Sequence, residues 1–135
     1  MGVYRRLREE TDFDTLELCD KLKRLTAKYV MNEKRVSKRW RFVFSFKLIE
    51  YVDKIREYVT IANDIRAVNE DLLADRYKYQ TRAISFCNLY QCELIDMEET
   101  LDGVTEESLR EVVDTFDSLL SHIINWRKKD RVISC

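Results

Sequence analysis

The sequence predicts an all-helical protein, and three observations carry that prediction. There is no proline and there are only two glycines, Gly2 and Gly103, so the residues that punctuate sheets and long loops are missing. Apolar residues recur at intervals of three and four through most of the chain. The remaining positions are rich in Leu, Glu, Lys and Arg, all good helix formers. At 135 residues the chain has the length of one domain, long enough to bury roughly two-thirds of its unfolded surface. With 36% charged and 45% hydrophobic residues it is too apolar for a disordered tail. No apolar run approaches the roughly 20 residues of a membrane span, so no membrane partner is expected.

The elements follow in order from caps and stripes. Asp14 and Glu17 have the spacing of a capping box, and Leu16, Cys19, Leu22, Leu25 and Tyr29 form one face, which predicts helix one from about Asp14 to Met31. After the polar segment 32–37, Ser37 is placed to cap a long second helix with an inner stripe of Phe44, Leu48, Tyr51, Ile55, Tyr58, Ala62 and Ile65, ending near Asn69. Leu73, Tyr77, Ile84, Cys87, Leu94, Met97 and Leu101 mark helix three, and Gly103 suits a left-handed C-terminal cap. Thr105, with Glu106 and Glu107 in the first turn, starts helix four, whose stripe is Leu109, Val112, Phe116, Leu119, Ile123 and Trp126. Four amphipathic helices with short links predict an antiparallel up-down four-helix bundle over residues 14–131, between an N-terminal arm (1–13) and a tail (132–135).

The start of helix two breaks the simple pattern. At about 100° per residue Phe44, Leu48 and Ile55 share one face, whereas Phe42, Phe46 and Ile49 point elsewhere. A second apolar surface needs a cover, and self-association through Phe42, Phe46 and Ile49 is the expectation; the other cover available is the N-terminal arm, through Tyr4 and Leu7. Residues 1–10 are basic and then acidic with no apolar core of a secretory signal, which predicts a cytoplasmic protein. Of four cysteines (Cys19, Cys87, Cys92, Cys135), Cys19 and Cys87 fall on apolar stripes and are expected to be buried thiols.

A formal net charge of −1 conceals a separation of charge along the chain. Ten basic residues between Lys21 and Lys47 face one acid, Glu33; ten acids between Glu93 and Asp117 face one base, Arg110. Local charge sets the field at a surface, so a near-neutral chain read as polar along its length can still present a polyanion-binding face. The acidic stretch then either keeps nucleic acid off one face or meets the basic region of a neighbouring subunit.

The catalytic inventory is thin. The single histidine, His122, has Asp117 and Ser121 near it in sequence, but residues one and five apart on a helix do not assemble a nucleophile, base and orienter. There is no Glu-x-x-His pair, no zinc spacing of Cys and His, and no Gly-rich phosphate loop. The expectation is a non-enzyme without metal or cofactor. The positive signal is a basic segment interleaved with aromatics: Lys34, Arg35, Lys38, Arg39, Trp40, Arg41, Phe42. As the start of a helix these cations, three and four apart, form a ridge suited to phosphates, with Arg24 and Lys28 approaching across the turn. Cations at a helix N-terminus oppose its macrodipole, so stability alone does not account for them. No base-reading motif accompanies them, so contact would be to backbone and shape. Arg127, Lys128 and Lys129 form a second, smaller basic group.

The run Tyr29-Val30-Met31, a short polar turn, Lys38 with Arg41, and then Ile49 to Ala62-Asn63 looks like the passage from helix one to helix two in a known four-helix-bundle family. That family includes the accessory variability determinant (Avd) proteins of diversity-generating retroelements and the proteins encoded in 23S ribosomal RNA intervening sequences. Tyr79-Gln80-Thr81-Arg82-Ala83-Ile84 with Cys87-Asn88, and the ending Trp126-Arg127-Lys128-Lys129-Asp130-Arg131, resemble the Avd-like branch. The resemblance implies a homopentamer of four-helix bundles, an accessory factor that binds a retroelement reverse transcriptase and its template RNA, or the hybrid of that RNA with cDNA, during mutagenic cDNA synthesis. The backbone-contact candidates are then Arg24, Lys28, Lys34, Arg35, Lys38, Arg39 and Arg41, followed by Arg127, Lys128 and Lys129. On this reading reversal of Lys38, Arg39 and Arg41 to Glu abolishes association without changing the fold. The alternative is an oligomeric scaffold of the intervening-sequence type that binds only protein.

Overall fold

A computed structural model describes residues 2–133, with side chains from Asp14 to Ile133. Among the described residues there are four α-helices and no strand: α1 (Gly2–Val30), α2 (Phe46–Asp64), α3 (Glu70–Thr100) and α4 (Arg110–Lys129). None is long and apolar enough to cross a membrane. The helices form a bundle in which α2 lies most extensively on α3, and α1 packs on both α2 and α4.

The core is an apolar interior that the stripes supply. Every residue of the predicted fourth stripe, from Leu109 just before α4 to Trp126, is buried. Cys19 and Cys87 are fully buried free thiols, and burial pushes each up to about 12. Cys135 lies outside the described residues. On α2 the buried line is Leu48, Val52, Ile55, Val59 and Ala62; Tyr51, Tyr58 and Ile65, expected inside, sit half-buried at its flank. Aromatic rings that keep a polar handle at the boundary satisfy their hydroxyls with water more cheaply than in the core. The exception is Tyr90, fully buried between α1 and α4. It shares a 2.7 Å hydrogen bond with Thr26 and stacks on Phe116 with centroids 5.2 Å apart.

Helix ends differ from the sequence expectations in ways that have local causes. Asp14 lies within α1, which begins at Gly2, and so does not cap it. Asn69 does not end helix two. It caps α3, accepting from Leu72 N at 2.9 Å, and α2 stops at Asp64, where Ile65 turns extended. Thr105 and Ser108 bond reciprocally, each backbone N–H to the other's hydroxyl at 3.0 and 3.1 Å, and build one turn before α4 proper. Gly103 is not a left-handed cap, since no described residue has positive φ; α3 ends at Thr100 with Leu101 extended. A Cβ on Gly103 would stand 2.7 Å from Lys34 O and 3.0 Å from Arg35 O, so the glycine is required by close approach of two connections.

At the opposite end, residues after α4 return to the bundle. Asp130 Oδ2 lies 3.0 Å from Arg76 Nε and accepts from Gln80 Nε2 at 2.9 Å, while Tyr77 OH donates to Asp130 O at 3.1 Å. Arg76 also donates to Ile65 O and lies over the Trp126 ring at 5.5 Å. Both ionic side chains are only 9% exposed. Ile133 N then bonds to Ala67 O at 2.8 Å, tying this segment to the α2–α3 connection.

Candidate nucleic-acid interface

The basic segment forms the connection from α1 to α2, and its shape is set by local hydrogen bonds. Asn32 accepts at its side chain from Lys34 N (3.0 Å) and at its carbonyl from Arg35 N and Val36 N, which turns the chain and buries Val36. Ser37 starts a 3-10 turn (Lys38–Trp40) but gives no side-chain cap, and a π-turn follows over Arg41–Ser45, in which Phe46 N–H bonds to Arg41 O five residues back. The wider turn lets consecutive residues Phe44 and Ser45 both face inward, and Ser45 Oγ donates to Val30 O at 2.8 Å. Helix two as predicted from Ser37 is therefore three helical pieces, with α2 beginning at Phe46.

Six of the seven leading cations, Arg24, Lys28, Lys34, Arg35, Lys38 and Arg39, are exposed on or beside this connection. Arg35 reaches across to donate to Gly103 O (3.2 Å), Lys38 pairs with Glu33 at 3.3 Å, and the Arg39 guanidinium lies over the Trp40 ring at 5.7 Å. Arg24 lines the α1/α4 groove with Asp14, Glu17, Lys21, Ser118 and His122. Arg41 is different. Its side chain is 22% exposed, its Nη2 donates to Met31 O and stands 4.0 Å from Glu33, and its Nε is buried without a partner. Arg41 thus holds the connection together, and charge reversal there would disturb the fold as well as any binding.

The two oppositely charged stretches are not at separate places along the molecule. The α1–α2 connection touches the α3–α4 connection directly, through Arg35 to Gly103 and through Tyr29 OH to Ser108 Oγ at 2.6 Å. The exposed acids Asp102, Glu106 and Glu107 therefore stand beside the cationic ridge, which corrects the reading of a chain polar along its length. Among the described residues no ion pair joins the two stretches. A polyanion approaching this end meets both signs within about a Debye length of ~8–10 Å.

Phe42 is 82% exposed and Phe46 43%, meeting edge to face with centroids 5.3 Å apart. Ile49, expected with them, is half-buried against the core of its own chain. Tyr4 and Leu7 lie outside the described side chains. Arg127, Lys128 and Lys129 end α4 at the far end: Arg127 donates to Thr81 Oγ1 on α3, about 30 Å along that helix from the Gly103 connection. The structure does not bring the two basic groups together.

One surface was missed by sequence reasoning. Along one flank of the α2–α3 seam Tyr51 meets Phe86 (6.1 Å between centroids), Phe86 stacks on Tyr58 (5.7 Å) and Tyr58 stacks on Tyr79 (6.1 Å). The seven-residue spacings from Tyr51 to Tyr58 and from Tyr79 to Phe86 were the available signal. Among the described residues no group of three or more His, Cys, Asp or Glu could hold a metal ion. In comparisons with known proteins, no family model, no curated protein and no solved structure matches the chain.

Proposed function

We propose that this protein is a non-catalytic, self-associating accessory module that binds a retroelement reverse transcriptase and its template RNA, the role implied by its resemblance to the Avd-like family. On this reading the bundle is antiparallel, up-down, and assembled as a homopentamer. The pairing of Lys23 with Asp53 and of Asp20 with Arg56 supports the opposite sense of α1 and α2. The observation that carries the binding reading is the exposed ridge of Lys34, Lys38 and Arg39 without close acid partners from the neighbouring acidic connection. Phe42 and Phe46, projecting beside that ridge, supply the surface for self-association. Desolvating two exposed rings that meet edge to face is favourable only when a partner surface covers them.

The test is co-purification of the full chain with its reverse transcriptase and RNA, comparing wild type with a Lys34→Glu, Lys38→Glu, Arg39→Glu variant. This set leaves Arg41 in place. The expected result is loss of both partners with unchanged helicity; retention of both by the variant sinks the assignment. The acidic connection lying against the cations favours a second reading, a scaffold that binds only protein. Salt separates the two, since single-stranded phosphate contacts weaken binding with a log-log slope of about −0.7 each. Light scattering of Phe42→Glu, Phe46→Glu reports the assembly, with the smaller species expected.

A further inference from the structure

We infer that the outer face of α3, at Lys78, Arg82 and Arg127 with the Tyr58 and Tyr79 rings, is a second contact surface for single-stranded RNA. It rests on the RNA-binding reading above. Lys78 and Arg82 are one turn apart and exposed. The Arg82 guanidinium lies 5.3 Å from the Tyr79 ring centre and 5.8 Å from that of Tyr58, and Lys78 Nζ lies 5.7 Å from that of Tyr79. From the other side, Arg127 lies over Tyr77 at 5.4 Å with its Nε on Thr81, the residue next to Arg82.

Lys78 and Arg82 combine ring contact with the absence of any acid partner. Among the described residues Lys78 and Arg82 have no hydrogen-bond acceptor and no acid partner, whereas Arg56 is held by Asp20, Lys23 by Asp53 and Lys54 by Glu57. A guanidinium held against tyrosine rings with no acceptor of its own keeps its N–H groups available to phosphate oxygens. The hydroxyls of Tyr51, Tyr58 and Tyr79 likewise have no partner among the described residues, so three further donors line the strip. Cations along the backbone path beside a row of aromatic rings are the elements with which sequence-tolerant proteins hold single strands. A protein carboxylate could use the cations but would leave the row of rings without a counterpart. Among the described residues no acid forms an ion pair with Lys78, Arg82 or Arg127. The nearest acid on the same helical face is Asp75, one turn before Lys78; Asp71 lies a further turn back, and Glu93 and Asp96 follow three to four turns after Arg82.

The experiment is fluorescence anisotropy of a labelled oligouridylate of about 20 nucleotides with the full chain, at ~50 and ~200 mM salt. Lys78→Gln, Arg82→Gln is expected to weaken binding on the order of tenfold and to flatten the log-log salt slope by about 1.4, two single-strand contacts at about 0.7 each, with an unchanged melting midpoint. Asp75→Asn removes no packing and is expected to tighten binding. Duplex RNA of the same length should compete less well. Wild-type binding that neither substitution alters overturns this inference alone, and so does loss of reverse transcriptase with RNA affinity intact, which would assign the face to protein. Failure of wild type to bind oligouridylate at low salt overturns the RNA reading as a whole.

Discussion

The two ends of this molecule use charge in opposite ways. At the Arg76–Asp130 end the charges are buried and paired with each other, with Gln80 on Asp130 and the Trp126 ring under Arg76, and they close the bundle. At the α1–α2 connection Lys34, Lys38 and Arg39 project into solvent, and the acid paired with Lys38, Glu33, is itself exposed. An exposed pair contributes little to stability, about 0–1 kcal/mol, whereas breaking a buried one leaves a charge without solvent or counterion. Charge that the fold does not need remains available to a partner, so the buried end reads as architecture and the exposed end as a candidate surface.

Four measurements break or sharpen that contrast. The largest effect is expected from Asp130→Ala, which strands Arg76 and should cost about 3–5 kcal/mol in urea unfolding; a loss below about 1 kcal/mol would place this pair with the surface ones. Alkaline pH comes next. The Cys19 and Cys87 thiols are raised from 9.0 to about 12 by burial, so their contribution is whole below pH 9 and is lost as pH climbs toward 12. Each thiol then removes about 1.4 kcal/mol per pH unit within that window. A smaller pH dependence in Cys87→Ala than in wild type checks the assignment. Gly103→Ala, which pushes a methyl against the carbonyls of Lys34 and Arg35, should cost about 1–3 kcal/mol and loosen the junction of the two connections. The smallest effect on stability belongs to Lys34→Glu, Lys38→Glu, Arg39→Glu, within about 0.5 kcal/mol per site. A large loss there would show that the ridge holds the fold.

Much of the helical content was legible in the residues. The α4 stripe, the buried cysteines and the four-helix count came from periodicity, because a helix in a bundle must present one apolar face whatever it packs against. The break at the start of helix two was legible too, as an apolar circumference with no single inward face. Its resolution into a 3-10 turn and a π-turn was not, since propensity does not register one inserted residue. The burial of Arg76 and Gln80 was equally hidden, because polar residues on an inner face are read as surface until their partner, some fifty positions away at Asp130, is known. Of the candidate ridge, six cations are exposed, but Arg41, grouped with them on its helical spacing from Lys38 and on the family resemblance, is held against the fold.

By itself the sequence determined that the chain is helical, where most helical faces point, and that it carries two strongly charged stretches; these depend on residues within a few turns of one another. Only the tertiary structure decided that the charged stretches abut, that Gly103 is demanded by a neighbouring backbone, and that Tyr51, Tyr58, Tyr79 and Phe86 line up across two helices. The reason is physical. Periodicity reports which side of a helix avoids water, whereas the identity of the surface that meets it is set by packing between elements far apart in the chain.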